Sequence, residues 1–265
     1  MPFTVRAAAG PLLLCGAALL PAARPVAALA LLVAWVVQLA RGRAEAVALA
    51  ATLPVGLILP WPWILGVDAP IGVPACTAPL SAIVVRRLAL AAFGLTAVAT
   101  VAGLHGLDRG ELGLRGPAPR EAAGAAAAAG VVALGGLVAG PWLASPFFGE
   151  LDFPRPAAAL LPALLFGVAN GVLEEVAYRG AMQGLLAHAM PLSWAIGIQG
   201  LVFGIVHAGP EVLALLPVHV ALMGVIGIAG GVARARLGSL WLPIGVHVGA
   251  DIALYVGLAC RAAAA

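Results

Sequence analysis

Long apolar runs alternate with short polar connections along the whole chain. Runs of about 17 to 25 apolar residues have the helical length that crosses a hydrocarbon layer about 30 Å thick. The pattern therefore predicts an all-α fold, a polytopic transmembrane helical bundle of about eight to nine spans. The predicted spans are residues 7–23, 25–40, 44–65, 87–106, 122–143, 157–178, 192–208, 212–233 and 240–259.

The polar connections divide the chain. The most polar one, residues 107–121, separates N-terminal spans in residues 1–120 from a C-terminal domain in residues 121–265. Prolines between the third and fourth runs predict a loop that places Trp61 and Trp63 at the membrane interface. The aromatic and proline-rich residues 145–156 predict a second interfacial segment, beside the mouth of any site. Alanine and glycine dominate 122–140, which predicts close helix packing.

Composition and charge narrow the class of protein. Hydrophobic residues make up 63% of the chain and charged residues 9%, against about 25% charged residues in a soluble domain. Every Lys or Arg position holds arginine, and the arginines, among them Arg86 and Arg87, gather in short segments between apolar runs. The net charge of +3 is therefore a topology signal and makes a nucleic-acid partner unlikely. The alanine, glycine and arginine bias is typical of a GC-rich bacterium. We expect a multi-pass protein of the bacterial inner (plasma) membrane, in contact with membrane lipid.

Three charged residues interrupt the sixth run. Glu174, Glu175 and Arg179 lie within six residues, and an ionisable group inside a span costs about 3 kcal/mol or more. Glu175 and Arg179 are four residues apart, which predicts a framework pair on one helix face. Glu174 points about 100° away, toward Asn170 and Tyr178. A buried carboxylate without a cation suits a general base, so Glu174 is the chemical candidate; a purely structural charge cluster is the alternative.

Two later runs carry histidines inside apolar sequence. Phe203 and His207 are four residues apart, and so are His247 and Asp251. A histidine one helical turn from a carboxylate faces the same way as that carboxylate. These side chains favour a catalytic role for Glu174 over a purely structural one, because general acid–base chemistry uses carboxylates and imidazoles together.

The motifs Glu-Glu-x-x-x-Arg, Phe-x-x-x-His and His-x-x-x-Asp, in this order, resemble the CPBP family of intramembrane proteases, over about residues 145–259. That family holds the type II CAAX prenyl endopeptidases and the bacteriocin self-immunity proteins. The resemblance implies peptide hydrolysis by a water that Glu174 and His207 activate, with His247 and Asp251 stabilising the oxyanion. The family often has Asn at position 251. We expect Asp251 either to stay protonated or to orient His247.

The resulting hypothesis is a glutamic-type intramembrane endopeptidase, with no metal and no cofactor. Its expected substrate is a membrane-associated or lipid-modified protein, with a C-terminal processing or sorting segment as one candidate. A zinc protease that uses His207 and His247 as ligands is an alternative, although His-Glu-x-x-His is absent. A proton-coupled transporter or a non-catalytic immunity protein would use the same intramembrane charges.

Overall fold

The structure is a computed structural model that describes residues 9–42, 45–61, 78, 80–148, 156–208 and 216–259. Helices and the turns between them account for this part of the chain, which contains no strand. The all-α prediction is confirmed for these residues. The α-helices are α1 Ala9–Leu19, α2 Arg24–Ala40, α3 Glu45–Ile58, α4 Ala82–Leu104, α5 Pro119–Phe148, α6 Pro156–Glu174, α7 Gln183–Ala189, α8 Leu192–Val206, α9 Leu216–Leu237 and α10 Trp241–Leu254.

Two of the helices change their winding along their length. A π-helix, Glu175–Met182, joins α6 to α7, and a second one, Tyr255–Ala259, extends α10. The helix that begins at Pro156 therefore continues to Ala189, beyond its predicted end at 178. No proline interrupts it after Pro162 until Pro191, which cannot continue a helix interior. A π-helix bonds residue i to i+5 and is found frequently at functional sites.

Four helical segments are long and apolar enough to cross a membrane. They overlap four of the predicted spans, and the shorter apolar helices overlap the other predicted spans. Many large apolar side chains on these helices are exposed, as lipid-facing side chains are. These observations support an integral membrane protein, whereas the total of eight to nine spans stays a prediction. The four segments are Ala82–Leu104, Pro119–Gly140, Ala157–Ala189 and Pro217–Leu237.

The described residues form two compact units. The first unit holds those of Met1–Trp61, Phe93–Arg115 and Val176–Leu240, and the second unit holds those of Pro62–Ala92, Gly116–Glu175 and Trp241–Ala265. Both units draw on residues from each side of the boundary predicted at position 120. That division into two domains stays a prediction.

In the second unit, α10 packs against α5 and α6. A Cβ atom at Gly249 would collide with the backbone oxygen of Ala129 on α5, and one at Gly245 with that of Ala125. Glycine at both positions therefore allows the two backbones to approach closely. The close packing predicted for the alanine and glycine run is confirmed where α5 contacts α10. This contact helps position α10, the helix that carries His247 and Asp251.

In the first unit, α8 packs against α9 in the same way. A Cβ atom at Gly204 would collide with the backbone oxygen of Val220. The predicted polar connection between α4 and α5 supports the other end of α9. Arg115 donates from Nε to the Gly238 oxygen at 3.2 Å and from Nη2 to the Leu237 oxygen at 3.1 Å. These bonds satisfy carbonyl groups that the end of a helix leaves without an intrahelical donor.

Parts of the two predicted interfacial segments lie outside the described residues, including Trp63 and residues 149–155. Trp61 is described, and its ring makes an edge contact with Phe93 at 5.5 Å between centroids. The helix α5 extends to Phe148. The second predicted interfacial segment therefore begins with helical residues.

Candidate active site

The ring of His247 lies among three carboxylates in the second unit. Nδ1 of His247 donates a hydrogen bond to Oε1 of Glu175 at 2.8 Å. On the other side of the ring, Nε2 is 3.6 Å from Oε2 of Glu174 and 3.7 Å from Oδ2 of Asp251. The last two distances exceed those of ordinary hydrogen bonds. One nitrogen is therefore held by a carboxylate, while the other faces two more.

The four side chains differ in their access to the surface. Glu175 and Asp251 are buried. The side chain of Glu174 is 19% exposed and that of His247 is 14% exposed. Glu174 and His247 are therefore the more exposed members of the group, although the Oε2 atom of Glu174 that faces His247 is itself buried. The choice of Glu174 rather than Glu175 as the chemical carboxylate stays a prediction.

Asp251 continues into a buried chain of polar groups. Nδ2 of Asn170 donates to Oδ2 of Asp251 at 3.0 Å, and Nη1 of Arg87 donates to Oδ1 of Asn170 at 2.7 Å. The guanidinium of Arg87 also lies 4.9 Å from the ring centroid of Phe166. These contacts connect α4, α6 and α10. We call Arg87, Asn170, Glu174, Glu175, His247 and Asp251 the carboxylate cluster.

Arg87 is the member that the sequence analysis missed. The pattern placed Arg86 and Arg87 in a connection at the start of a span beginning at 87, whereas α4 begins at Ala82. Arg87 is consequently inside the helix and buried, while Arg86 is exposed. The signal was present in the apolar residues 82–85, which continue the run on the N-terminal side of the arginine pair. The adjacent arginines therefore do not mark the start of this helix, which lies four residues before Arg86.

A second group of side chains surrounds Phe203 in the first unit. The guanidinium of Arg179 lies 4.1 Å from the Phe203 ring centroid, a cation–π distance. The Tyr178 ring packs edge to face against the Phe203 ring, with 5.1 Å between the centroids. The centroid of the His207 ring lies 4.4 Å from that of Phe203. Arg179 is 1% exposed. We call these four residues the aromatic cluster.

The tautomer of His207 follows from one contact. Its Nδ1 lies 2.7 Å from the carbonyl oxygen of Phe203. A carbonyl oxygen only accepts hydrogen bonds, so Nδ1 carries a proton and donates it. In the neutral ring Nε2 is then the acceptor.

The structure thus brings five of the predicted site residues into the carboxylate cluster and the other three into the aromatic cluster. The predicted pairs Glu175 with Arg179 and Glu174 with His207 each have one member in each unit, and both stay predictions. The spacing argument for the first pair assumed an α-helical turn, whereas Glu175–Met182 is a π-helix. Residues four apart are therefore not related there as they are in an α-helix.

Among the described residues, no group of three or more His, Cys, Asp or Glu side chains is arranged to hold a metal ion. Glu174 and the Nε2 atom of His247 have chemistry that suits a metal ion and lie 3.6 Å apart. The metal-free mechanism stays a prediction, and chelation tests it.

Residues 156–253 match the family model described as type II CAAX prenyl endopeptidase Rce1-like. The predicted CPBP resemblance is confirmed. The Rce1-like region begins with α6 and ends within α10, so it contains every predicted site residue from Asn170 to Asp251, whereas Arg87 lies outside it. Comparisons with curated proteins and with solved structures gave no match.

Proposed function

We propose that this chain is an intramembrane endopeptidase that hydrolyses a peptide bond in a membrane-associated protein with a water activated by glutamate and histidine. The match to the Rce1-like family, whose members are described as CAAX prenyl endopeptidases, supports the reaction class. The observation that carries the proposal is the His247 ring, held at Nδ1 by Glu175 and facing Glu174 with Nε2. Acid–base hydrolysis requires a carboxylate and an oriented imidazole that a water and a substrate can reach.

In the proposed reaction, Glu174 is the general base. It takes a proton from water as the water oxygen forms a bond to the scissile carbonyl carbon, and the carbonyl oxygen becomes an oxyanion. When the carbon–nitrogen bond breaks, Glu174 returns the proton to the leaving amine. The products are a carboxylic acid and an amine, so one water is consumed for each bond. General base catalysis of this kind contributes about 10² to 10⁴-fold to the rate.

His247 is the proposed oxyanion donor. Three carboxylate oxygens within 3.7 Å of its ring nitrogens favour the doubly protonated ring. In that form Nε2–H can donate to the developing negative charge while Nδ1–H stays on Glu175. One donor to an oxyanion in a site with little water is worth about 10² to 10³-fold in turnover. Asp251 lies too far from Nε2 for a hydrogen bond and acts in this proposal on the placement of the ring.

His207 is the second water-activating residue that the family resemblance implies. Its bond to the Phe203 carbonyl supports this role, because it leaves Nε2 as the proton acceptor of the neutral ring. The proposed substrates are membrane-associated or lipid-modified proteins, including those with a C-terminal processing segment. A site on apolar helices suits a substrate that reaches it from the lipid phase.

The first test uses purified protein in liposomes with two probes: a farnesylated CAAX peptide and its unprenylated counterpart. Glu174→Gln is expected to reduce cleavage by about 10³-fold, because the amide cannot accept the water proton. Glu121→Gln is the matched control. Glu121 accepts a hydrogen bond from the Ala118 backbone nitrogen at 2.9 Å, which glutamine can still accept. This control is expected to cleave at the wild-type rate.

Cleavage by Glu174→Gln at the wild-type rate would refute the assignment of the base. A folded wild-type protein that cleaves neither peptide, yet carries protons across the liposome membrane, would support the transporter alternative. Activity is expected to survive a strong chelator. Loss on chelation and recovery with Zn²⁺ would replace the metal-free mechanism with a zinc-dependent one.

A further inference from the structure

Arg87 is a buried cation in α4, outside the region that matches the endopeptidase family. An arginine side chain keeps its charge at any accessible pH, so its burial in an apolar helix requires compensation. The contacts of the guanidinium include the hydrogen bond to Oδ1 of Asn170 at 2.7 Å and the face of the Phe166 ring, whose centroid is 4.9 Å away. Arg86, the adjacent residue, is exposed and provides a natural comparison.

The contact with Arg87 determines which way the Asn170 amide points. A guanidinium only donates hydrogen bonds, so the amide oxygen must face Arg87 and the amide nitrogen must face away from it. That nitrogen donates to Oδ2 of Asp251 at 3.0 Å. The bonds run in one direction, from cation through amide to carboxylate, and each polarises the next. A charge on Arg87 therefore favours a negative charge on Asp251 although the two side chains are joined only through Asn170.

We propose that Arg87 and Asp251 form an ion pair bridged by the amide of Asn170, and that Arg87 is a positioning residue for the His247 site. The bridge places Oδ2 of Asp251 at 3.7 Å from Nε2 of His247. The proposed ion pair is argued from the contacts of Asn170 with Arg87 and Asp251 and does not depend on the proposed function. Its effect on turnover rests on the proposed function.

The test of the ion pair is a double-mutant cycle on thermal unfolding, without substrate. Arg87→Gln removes the cation and leaves Asp251 as a buried carboxylate, which is expected to lower the Tm by about 10 °C. In the Asp251→Asn background the carboxylate that Arg87 compensates through Asn170 is absent. There the same substitution is expected to lower the Tm by no more than about 3 °C. Arg86→Gln is the matched control and is expected to change the Tm by less than about 2 °C.

Equal Tm losses from Arg87→Gln in the two backgrounds would overturn the proposal. If Arg87→Gln alone yields no folded protein, the double variant is expected to be recovered in folded form, and its failure to fold would also overturn the proposal. This arm does not depend on peptide cleavage. A positive cycle in a protein without peptidase activity would therefore support the ion pair while contradicting the proposed function.

The second arm measures cleavage of the farnesylated peptide. Arg87→Gln is expected to lower kcat by about 10-fold with KM within about twofold of the wild-type value, because the substitution misplaces a group beside His247 without touching substrate. Arg87→Lys, which keeps the charge but not the planar fork, is expected to recover part of the lost turnover. A purely structural arginine would lower the amount of folded protein and leave kcat per folded molecule unchanged.

Discussion

The carboxylate cluster and the aromatic cluster hold their charged groups by different means. Hydrogen bonds of 2.7 to 3.0 Å join donors to acceptors in the carboxylate cluster. In the aromatic cluster, the guanidinium of Arg179 lies on the face of a ring, 4.1 Å from its centroid. Both clusters include residues of the continuous helix from Pro156 to Ala189. One helix therefore carries Glu174 and Glu175 in one unit and the aromatic-bound cation Arg179 in the other.

The two kinds of contact predict different effects of substitutions on turnover and on stability. A hydrogen bond weakens steeply when its distance or angle changes, so it can hold a reacting ring in one orientation. A cation–π contact tolerates sliding across the ring and contributes about 0.5 to 2 kcal/mol. Substitutions at Glu174, Glu175 and His247 in the carboxylate cluster should act mainly on turnover. Substitutions at Tyr178, Arg179 and Phe203 in the aromatic cluster should act mainly on the free energy of unfolding.

After Glu174→Gln, the largest effect on turnover is expected from Glu175→Gln. The glutamine oxygen can still accept the bond from Nδ1 of His247, but the substitution removes the negative charge that favours the doubly protonated ring. We expect kcat on the farnesylated peptide to fall by about 10²-fold, as when a donor to the oxyanion is lost. The Tm should fall by less than about 4 °C. An unchanged kcat would mean that Glu175 is framework only and does not act through His247.

A smaller effect on turnover is expected from Phe203→Leu. The substitution removes the ring that contacts Arg179, Tyr178 and His207. We expect the Tm to fall by about 5 °C and kcat by about 10-fold or less. Phe203→Tyr keeps the ring face and serves as the control, with a smaller Tm loss. A drop in kcat as large as that of Glu175→Gln, at unchanged Tm, would break the distinction between the two clusters.

The smallest effects are expected from single methyl groups at the helix contacts of each unit. Gly249→Ala pushes α10 against the Ala129 oxygen, and Gly204→Ala pushes α8 against the Val220 oxygen. Each should lower the Tm by about 3 °C, because backbone atoms must shift. Gly249→Ala should also lower kcat more than Gly204→Ala does, since α10 carries His247.

Two glycines with open space around them are the matched controls for these substitutions. A Cβ atom at Gly130 on α5 or at Gly197 on α8 would meet no atom within 4 Å. Alanine has the higher helix propensity, so Gly130→Ala and Gly197→Ala should leave the Tm unchanged or raise it slightly. Equal Tm losses at all four glycines would show that close helix approach is not what these contacts require.

Much of this protein could be read from its sequence because a membrane imposes a strong pattern. Apolar runs predicted the helical class and the approximate position of every described helix except α7, since every spanning backbone must satisfy its hydrogen bonds internally. The cost of intramembrane charge drew attention to Glu174 and His247. Within a single α-helix, residue spacing also placed Phe203 beside His207, and these rings are in contact.

Contacts between helices could be decided only by the tertiary structure. Arg87 and Asn170 are 83 residues apart, and Asn170 and Asp251 are 81 apart. Residue spacing predicts neighbours along one helix but does not predict which faces of two helices meet. In the second unit, close contacts at glycines, such as that of Gly249 with Ala129, help to determine which helix faces pack together. The sequence by itself therefore determined that charged groups lie within apolar helices, and packing decided that Glu175 bonds His247 and that Arg87 reaches Asp251 through Asn170.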